Sequence, residues 1–225
     1  MNLAHLQLLD SAFPVGAFSH SFGLETLVQE KRLRDASDVR AFCEFALRHV
    51  WAPFDGAAIR AVYAWNAPEH RARLWAFDAT LHAARPATET REGARKIGKR
   101  LLSLGRALHP GLDWPPLENA IATDCCVGAH ATVYGWACRE LGVSLPDAAT
   151  GFLFASVNAA VSGAVRAMRL GQTQGQAVVT SLLPEIEMAC QEIEAREVGA
   201  FASNAPELEI AQMRHARLYS RLFMS

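Results

Sequence analysis

Neither sign of charge dominates this chain: 22 Lys and Arg stand against 23 Asp and Glu, a net of −1 with histidine neutral. A general nucleic-acid binder carries a strong basic excess, so that class is set aside. Cysteine is sparse and odd in number, five in 225 residues, with no Cys-x-x-Cys spacing. A secreted disulfide framework is therefore not expected, and a reducing, cytoplasmic setting fits. No Lys or Arg precedes the apolar residues of the first ten positions, so the charged start of a signal peptide is missing. The longest weakly polar stretch, residues 151–165, contains Asn158 and Ser162 and ends at Arg166. It is short for a membrane span and suits a core helix.

Strand patterning is scarce as well. Asp55 and Gly56 form a possible hairpin signal, yet Ala57, Ala58, Ile59 and Val62 follow without period-2 alternation, so Asp55 reads as a helix cap. No internal repeat and no low-complexity tract is found.

What the sequence does have is helical periodicity from end to end. Val39, Phe42, Cys43, Ala46, Leu47 and Val50 make one stripe, capped by Asp35 or Ser37 and stopped by Pro53. Ile97, Leu101, Leu104 and Leu108 make another, beside a small-residue face of Ala94, Gly98 and Gly105 where a second backbone can approach closely. Further helices are predicted at 3–10, 20–31, 56–66, 69–82, 119–141, 146–168, 172–198 and 207–222. The expected fold is all-α, a single compact domain of about ten helices spanning 1–225. Residues 207–225 are expected to be a flexible docking segment.

Charge is unevenly distributed. Residues 85–106 hold seven basic side chains against two glutamates, and residues 185–209 hold seven glutamates against Arg196. Opposed patches on a neutral protein steer protein partners, although solvated helix faces have the same composition.

Three hints of chemistry fall short. Gly93, Gly98 and Lys99 approach a phosphate-loop pattern, but Arg100 replaces the hydroxyl and the segment lies in a helical stripe. Ser21, beside His20, invites a hydrolase reading, but Ser19 stands where a nucleophile elbow needs glycine. Cys126 and His130, four apart, suggest a metal carrier, though buried cysteines in helices are usually small apolar packers. The residues thus give no catalytic set, no cofactor site and no complete metal site.

Near the N-terminus stand Leu8, Leu9, Phe13, Pro14, Gly16, Phe18, Ser19, His20, Ser21, Gly23, Leu24 and Glu25. Asn158, Ser162, Arg166, Gly171, Gln172, Gly175 and Gln176 follow in the second half. Met213, Arg214, His215, Tyr219, Ser220, Arg221, Leu222 and Phe223 stand near the end. These three segments together resemble the urease accessory protein UreF family. Glu89, Arg91, Gly98, His130 and Gly135 agree with it more loosely, while Ala17, Ala94 and Ala216 depart from it.

The resemblance implies an all-α accessory protein with no activity of its own and a tendency to form a homodimer. It implies binding to UreD (also called UreH), recruitment of the GTPase UreG, and nickel delivery to apo-urease. Partner-binding candidates are Phe18, His20, Glu25, Arg166, Gln172, Arg214, His215, Tyr219, Ser220, Arg221 and Phe223. Arg214, Arg217 and Arg221 form one basic stripe if that segment is helical, with Tyr219 and Phe223 on an adjacent face. The competing reading is a last helix packed on its own domain. Arg166 has two readings as well, a brace for the turn at 170–172 or a contact to a partner. The small-residue face at Ala94, Gly98 and Gly105 is the sequence's one hint of a dimer.

Overall fold

In the computed structural model, which describes residues 2–225, helix follows helix and no strand occurs among the described residues. α1 (Leu3–Leu9) and α2 (Leu24–Gln29) flank an N-terminal loop. α3 (Ala36–Ala46) starts at Asp35, whose carboxylate accepts from the amides of Ser37 and Asp38 at 2.9 and 3.0 Å. That satisfies two of the donors a helix start leaves free. Pro53 does not stop this run. Over Leu47–Gly56 the chain winds as a π-helix that takes in Pro53 and passes directly into α4 (Ala57–Trp65). The wider turn accommodates a ring that would crowd an ordinary α-helix. Asp55 is accordingly no cap: it lies inside the run, paired with Arg85.

α5 (Arg71–Ala84), α6 (Thr88–Leu108) and α9 (Leu145–Ala167) lie close to the predicted helices. Two predicted helices divide instead. The stretch 119–141 becomes α7 (Pro115–Ala122) and α8 (His130–Glu140), because the intervening amides of Val127, Gly128 and Ala129 turn to the buried Asp78 carboxylate. The stretch 172–198 becomes α10 (Gln172–Ser181) and α11 (Leu183–Ala195). Pro184 sits in the first turn of α11, where its missing N–H costs nothing. The last helix, α12 (Pro206–His215), ends seven residues short of the predicted 222.

Two apolar clusters form the core. One gathers α4, α5, α6 and α8 around Trp136, Ile59, Leu74 and Leu101. The other gathers α2, α3, α10 and α11 around Leu24, Leu47, Leu182 and Ile186. α9 joins them, giving Phe152 to the first and Leu153 and Val157 to the second, so the chain is one all-α domain. At about 1.5–3 kcal/mol per fully buried large side chain, this seam dominates the favourable side of folding. α9 is long and apolar enough to cross a bilayer, with a mean hydropathy of 1.5 over its most apolar window. Here it packs against α2, α3, α4, α8, α10 and α11 as a central core helix.

The small-residue face of α6 is filled from within the chain. A Cβ on Gly98 would stand 2.1 Å from the Gly128 carbonyl oxygen, and one on Gly105 2.5 Å from the Trp114 ring. The close approach that the glycines predict is real, but its partners are the 128–130 backbone and Trp114. This face therefore offers no surface to a second copy.

Candidate functional site

The N-terminal loop is shaped by backbone that only some residues tolerate. Gly16 and Gly23 have φ of 85° and 94°, and Phe22 has φ of 48°. A Cβ at Gly23 would also stand 2.9 Å from Leu208 Cδ1 of α12, so glycine serves both the turn and the contact. The loop opens as a concave seat between α2, α6 and α9, and the residues after α12 lie in it.

The occupant is a non-helical strip. Arg217 and Leu218 close turns on Arg214 and His215, and the chain then continues without helix through a series of bends, with Phe223 and Ser225 buried while Arg221, Leu222 and Met224 are exposed. The Met224 amide donates to the Ser19 carbonyl at 2.7 Å. The amides of Ser21 and Phe22 donate to the Ser225 carbonyl, and Ser225 Oγ lies 2.7 Å from His20 Nδ1. Phe223 passes over Gly163, where a Cβ would meet its ring at 3.7 Å. Arg166 ties the layers together. Its guanidinium lies 4.6 Å from the Phe223 ring centroid and 5.6 Å from that of Phe18, and it donates to the Phe18 carbonyl at 2.7 Å.

Beneath the strip lies a charge cluster. The His215 ring is wholly buried, with Nε2 2.9 Å from Glu25 and Nδ1 2.7 Å from Glu89. Glu25 also accepts from the amides of Leu222 and Phe223 at 2.6 and 3.2 Å. Arg221 donates to the second oxygen of Glu89 at 2.9 Å. Nearby, Arg214 pairs with Glu30 at 3.3 Å, and Gln29 donates to the Ser220 carbonyl at 2.8 Å.

Under the loop is a cavity of about 170 Å³, with Ser21, Asp55, Arg85, His130 and Asn158 among its lining. The Ser21 hydroxyl is buried without a hydrogen-bond partner. His20 engages Ser225, so no base is hydrogen-bonded to Ser21 and the hydrolase reading lacks its nucleophile–base pair. Burial, with Arg85 and His20 adding, pushes the His130 imidazole down to about 4. Burial and then Lys96 and His215 lower that of His20.

Cys126 and His130 are not on one helix. The Cys126 thiol donates to Asp78 at 3.2 Å, and burial followed by that carboxylate pushes the thiol far up. His130 begins α8 and packs on Phe152. Among the described residues no three His, Cys, Asp or Glu side chains gather to hold a metal.

The eleven candidate residues thus divide by direction. Glu25, His215 and Phe223 point inward, and Arg166 and His20 brace the seat. Tyr219, Arg214, Ser220 and Arg221 face solvent, and Phe18 is partly exposed. Gln172 lies exposed at the start of α10, apart from the cluster. The basic stripe is absent because Arg217 and Arg221 follow the end of α12. Sequence reasoning missed the Asp78 hub, for which no local signal exists. Glu89, one of the looser motif residues, faces His215 and Arg221.

The UreF family model matches residues 33–183. The chain is 38% identical over 220 residues to the urease accessory protein UreF of Geobacillus kaustophilus, covering 98% of this chain and 96% of that one. It is 36% identical over 220 residues to the same-named protein of Lachnoclostridium phytofermentans, with the same coverage. Against that of Bacillus sp. strain TB-90 it is 35% identical over 223 residues, covering 99% of this chain and 98% of the other. The family model takes in most of the helical core and the relatives span nearly the whole chain, and together they place it in the UreF family of urease accessory proteins.

Proposed function

We propose that the chain is a non-catalytic maturation chaperone that binds UreD/UreH, recruits or regulates the GTPase UreG, and so serves nickel delivery to apo-urease in the cytoplasm. Nickel is cargo of that assembly, and the chain itself carries no cofactor in this reading. One observation carries the proposal: the N-terminal loop, the Arg166 end of α9 and the residues after α12 meet in one place and build a surface. Their inward halves hold the strip, and their outward halves leave Tyr219, Leu222, Met224, Met213 and Ile210 exposed beside Arg214, Arg217 and Arg221. Exposed aromatic, Met and Arg side chains grouped together are the composition of a protein interface. The same reading includes a homodimer, for which the α6 glycine face is not the contact.

The test is urease activity in nickel-supplied cells that lack this gene. The expected outcome is loss of activity with apo-urease protein still present, and recovery when the intact gene is returned. Full activity in the deleted strain, with no second copy of the gene, would overturn the proposal. Deleting residues 214–225 is a poor substitute, because it removes His215 and Phe223 and strands the buried Glu25 carboxylate.

A further inference from the structure

The two sides of α6 differ sharply in chemistry. Its inner side carries Ala94, Ile97, Gly98, Leu101 and Gly105, all buried. Its outer side carries Arg95, Lys96, Lys99, Arg100, Ser103 and Arg106, all exposed, and no acidic residue stands between Arg95 and Arg106. Five cations therefore line about three turns, roughly 16 Å of helix. Helical spacing sets them side by side. Lys99 stands three residues from Lys96 and four from Arg95, and Arg100 stands four from Lys96. Like charges at these spacings weaken a helix.

Counter-charges from the same chain reach only the ends of this face. Arg95 pairs with Glu92 at 2.8 Å and Arg106 with Glu118 at 2.7 Å. Lys96, Lys99 and Arg100 in the middle form no ion pair among the described residues, and Arg100 gives its Nε–H to the Pro14 carbonyl at 3.2 Å. Elsewhere the chain does pair its charges: Glu44 and Glu185 between them hold Arg40 and Arg48. The middle of α6 is thus a run of cations whose repulsion the fold does not relieve.

Apolar area lies beside it. An open hollow of about 420 Å³ is lined by Lys99, Leu102, Ser103, Arg106, Ala107 and Glu118. Leu108, the last residue of the helix, is 49% exposed. A phosphate backbone needs no apolar lining and is repelled by a carboxylate such as that of Glu118. α6 also has no Phe, Trp or Tyr on which a base could stack. Cations flanking an apolar hollow complement a protein segment instead, one that carries carboxylates and an apolar side chain.

We propose that the outer face of α6, from Arg95 to Leu108, docks an acidic segment of a protein partner. Carboxylates of that segment pair with Lys96, Lys99 and Arg100, and an apolar side chain enters the hollow at Leu102 and Ala107. That the partner belongs to the urease-maturation assembly rests on the docking role proposed above, whereas the surface itself is a property of the free chain.

The experiment measures binding of the full chain to a labelled peptide of four Glu-Glu-Leu repeats, beside a thymidylate dodecamer and phosphatidylserine vesicles. The peptide is expected to bind more tightly than either other probe, and less tightly as salt is raised. Lys99→Glu sharpens the test, because it turns repulsion with Arg95 and Lys96 into attraction. The melting temperature should hold or rise while peptide affinity falls about tenfold. A lysine serving only the fold would move the two together. Should that variant fold poorly, Lys96→Ala combined with Lys99→Ala reads the same loss of affinity. No peptide binding, equal or tighter binding of thymidylate or vesicles, or wild-type affinity in these variants would overturn the surface. Full urease activity in the deleted strain would sink the docking role and leave this surface standing.

Discussion

Asp78 and Glu25 are both carboxylates buried to within a few per cent, and they are stabilised in opposite ways. Asp78 accepts from the amides of Val127, Gly128 and Ala129, the Thr132 hydroxyl and the Cys126 thiol. All five donors are neutral, and all come from one continuous stretch between α7 and the first turn of α8. The charge is spread over fixed dipoles at a helix start, so it needs no counter-ion. Glu25 accepts instead from two strip amides and one imidazole. Its satisfaction depends on a segment of few core contacts staying in place. The first carboxylate is a permanent fastener of the fold and the second is a conditional one.

The largest break in that comparison comes from Asp78→Ala. Five donors, four of them buried, would lose their acceptor at once, and chemical denaturation should show a loss on the order of 3–5 kcal/mol. Asp78→Asn should fall between, because the amide keeps one acceptor but turns a donor toward donors. A loss below about 1 kcal/mol for the alanine variant would mean that the loop finds other partners and that the hub is not a fastener.

Acid attacks the permanent half of the molecule by a different residue. His130 is held down to about 4 by burial, Arg85 and His20, whereas an unfolded imidazole binds its proton near 6.5. Between those values the unfolded chain holds more protons, so stability is complete above about pH 6.5 and declines as pH falls toward 4, by roughly 3 kcal/mol at most. His130→Gln should remove most of that decline. If the variant and the wild type lose stability in parallel over this window, another group carries the acid sensitivity.

The same division explains how much was legible beforehand. The helix over Ala36–Ala46 follows from one apolar stripe and a clear cap, and that over Leu145–Ala167 from a long, weakly polar run. The break at 123–129 does not, since it is caused by Asp78, some fifty residues away in sequence. Pro53 misled because the local rule assumes α-winding, and the chain changes its winding there. At the site, the sequence brings out the motif residues but not the directions in which their side chains point. Glu25 and His215 look alike in sequence to surface charges, and only the returning strip reveals that they face each other at 2.9 Å.

Tyr219→Ala should have the smallest effect on the fold and a large one on assembly. The Tyr219 side chain is fully exposed and the neighbouring anchors at His215 and Phe223 are buried, so the substitution removes area from the surface without touching the seat. Its cost in thermal or chemical stability should stay within about 0.5 kcal/mol. If the strip is a docking surface, an exposed tyrosine beside Arg217 and Arg221 is a binding anchor, and affinity for the UreD- or UreG-containing assembly should drop by about tenfold or more. Glu25→Ala provides the contrast, because it should lose strip protection and affinity together. Wild-type affinity in Tyr219→Ala, with the strip still protected in amide exchange, would move the interface away from the strip. The three converging motifs would then be a device for closing the molecule on itself.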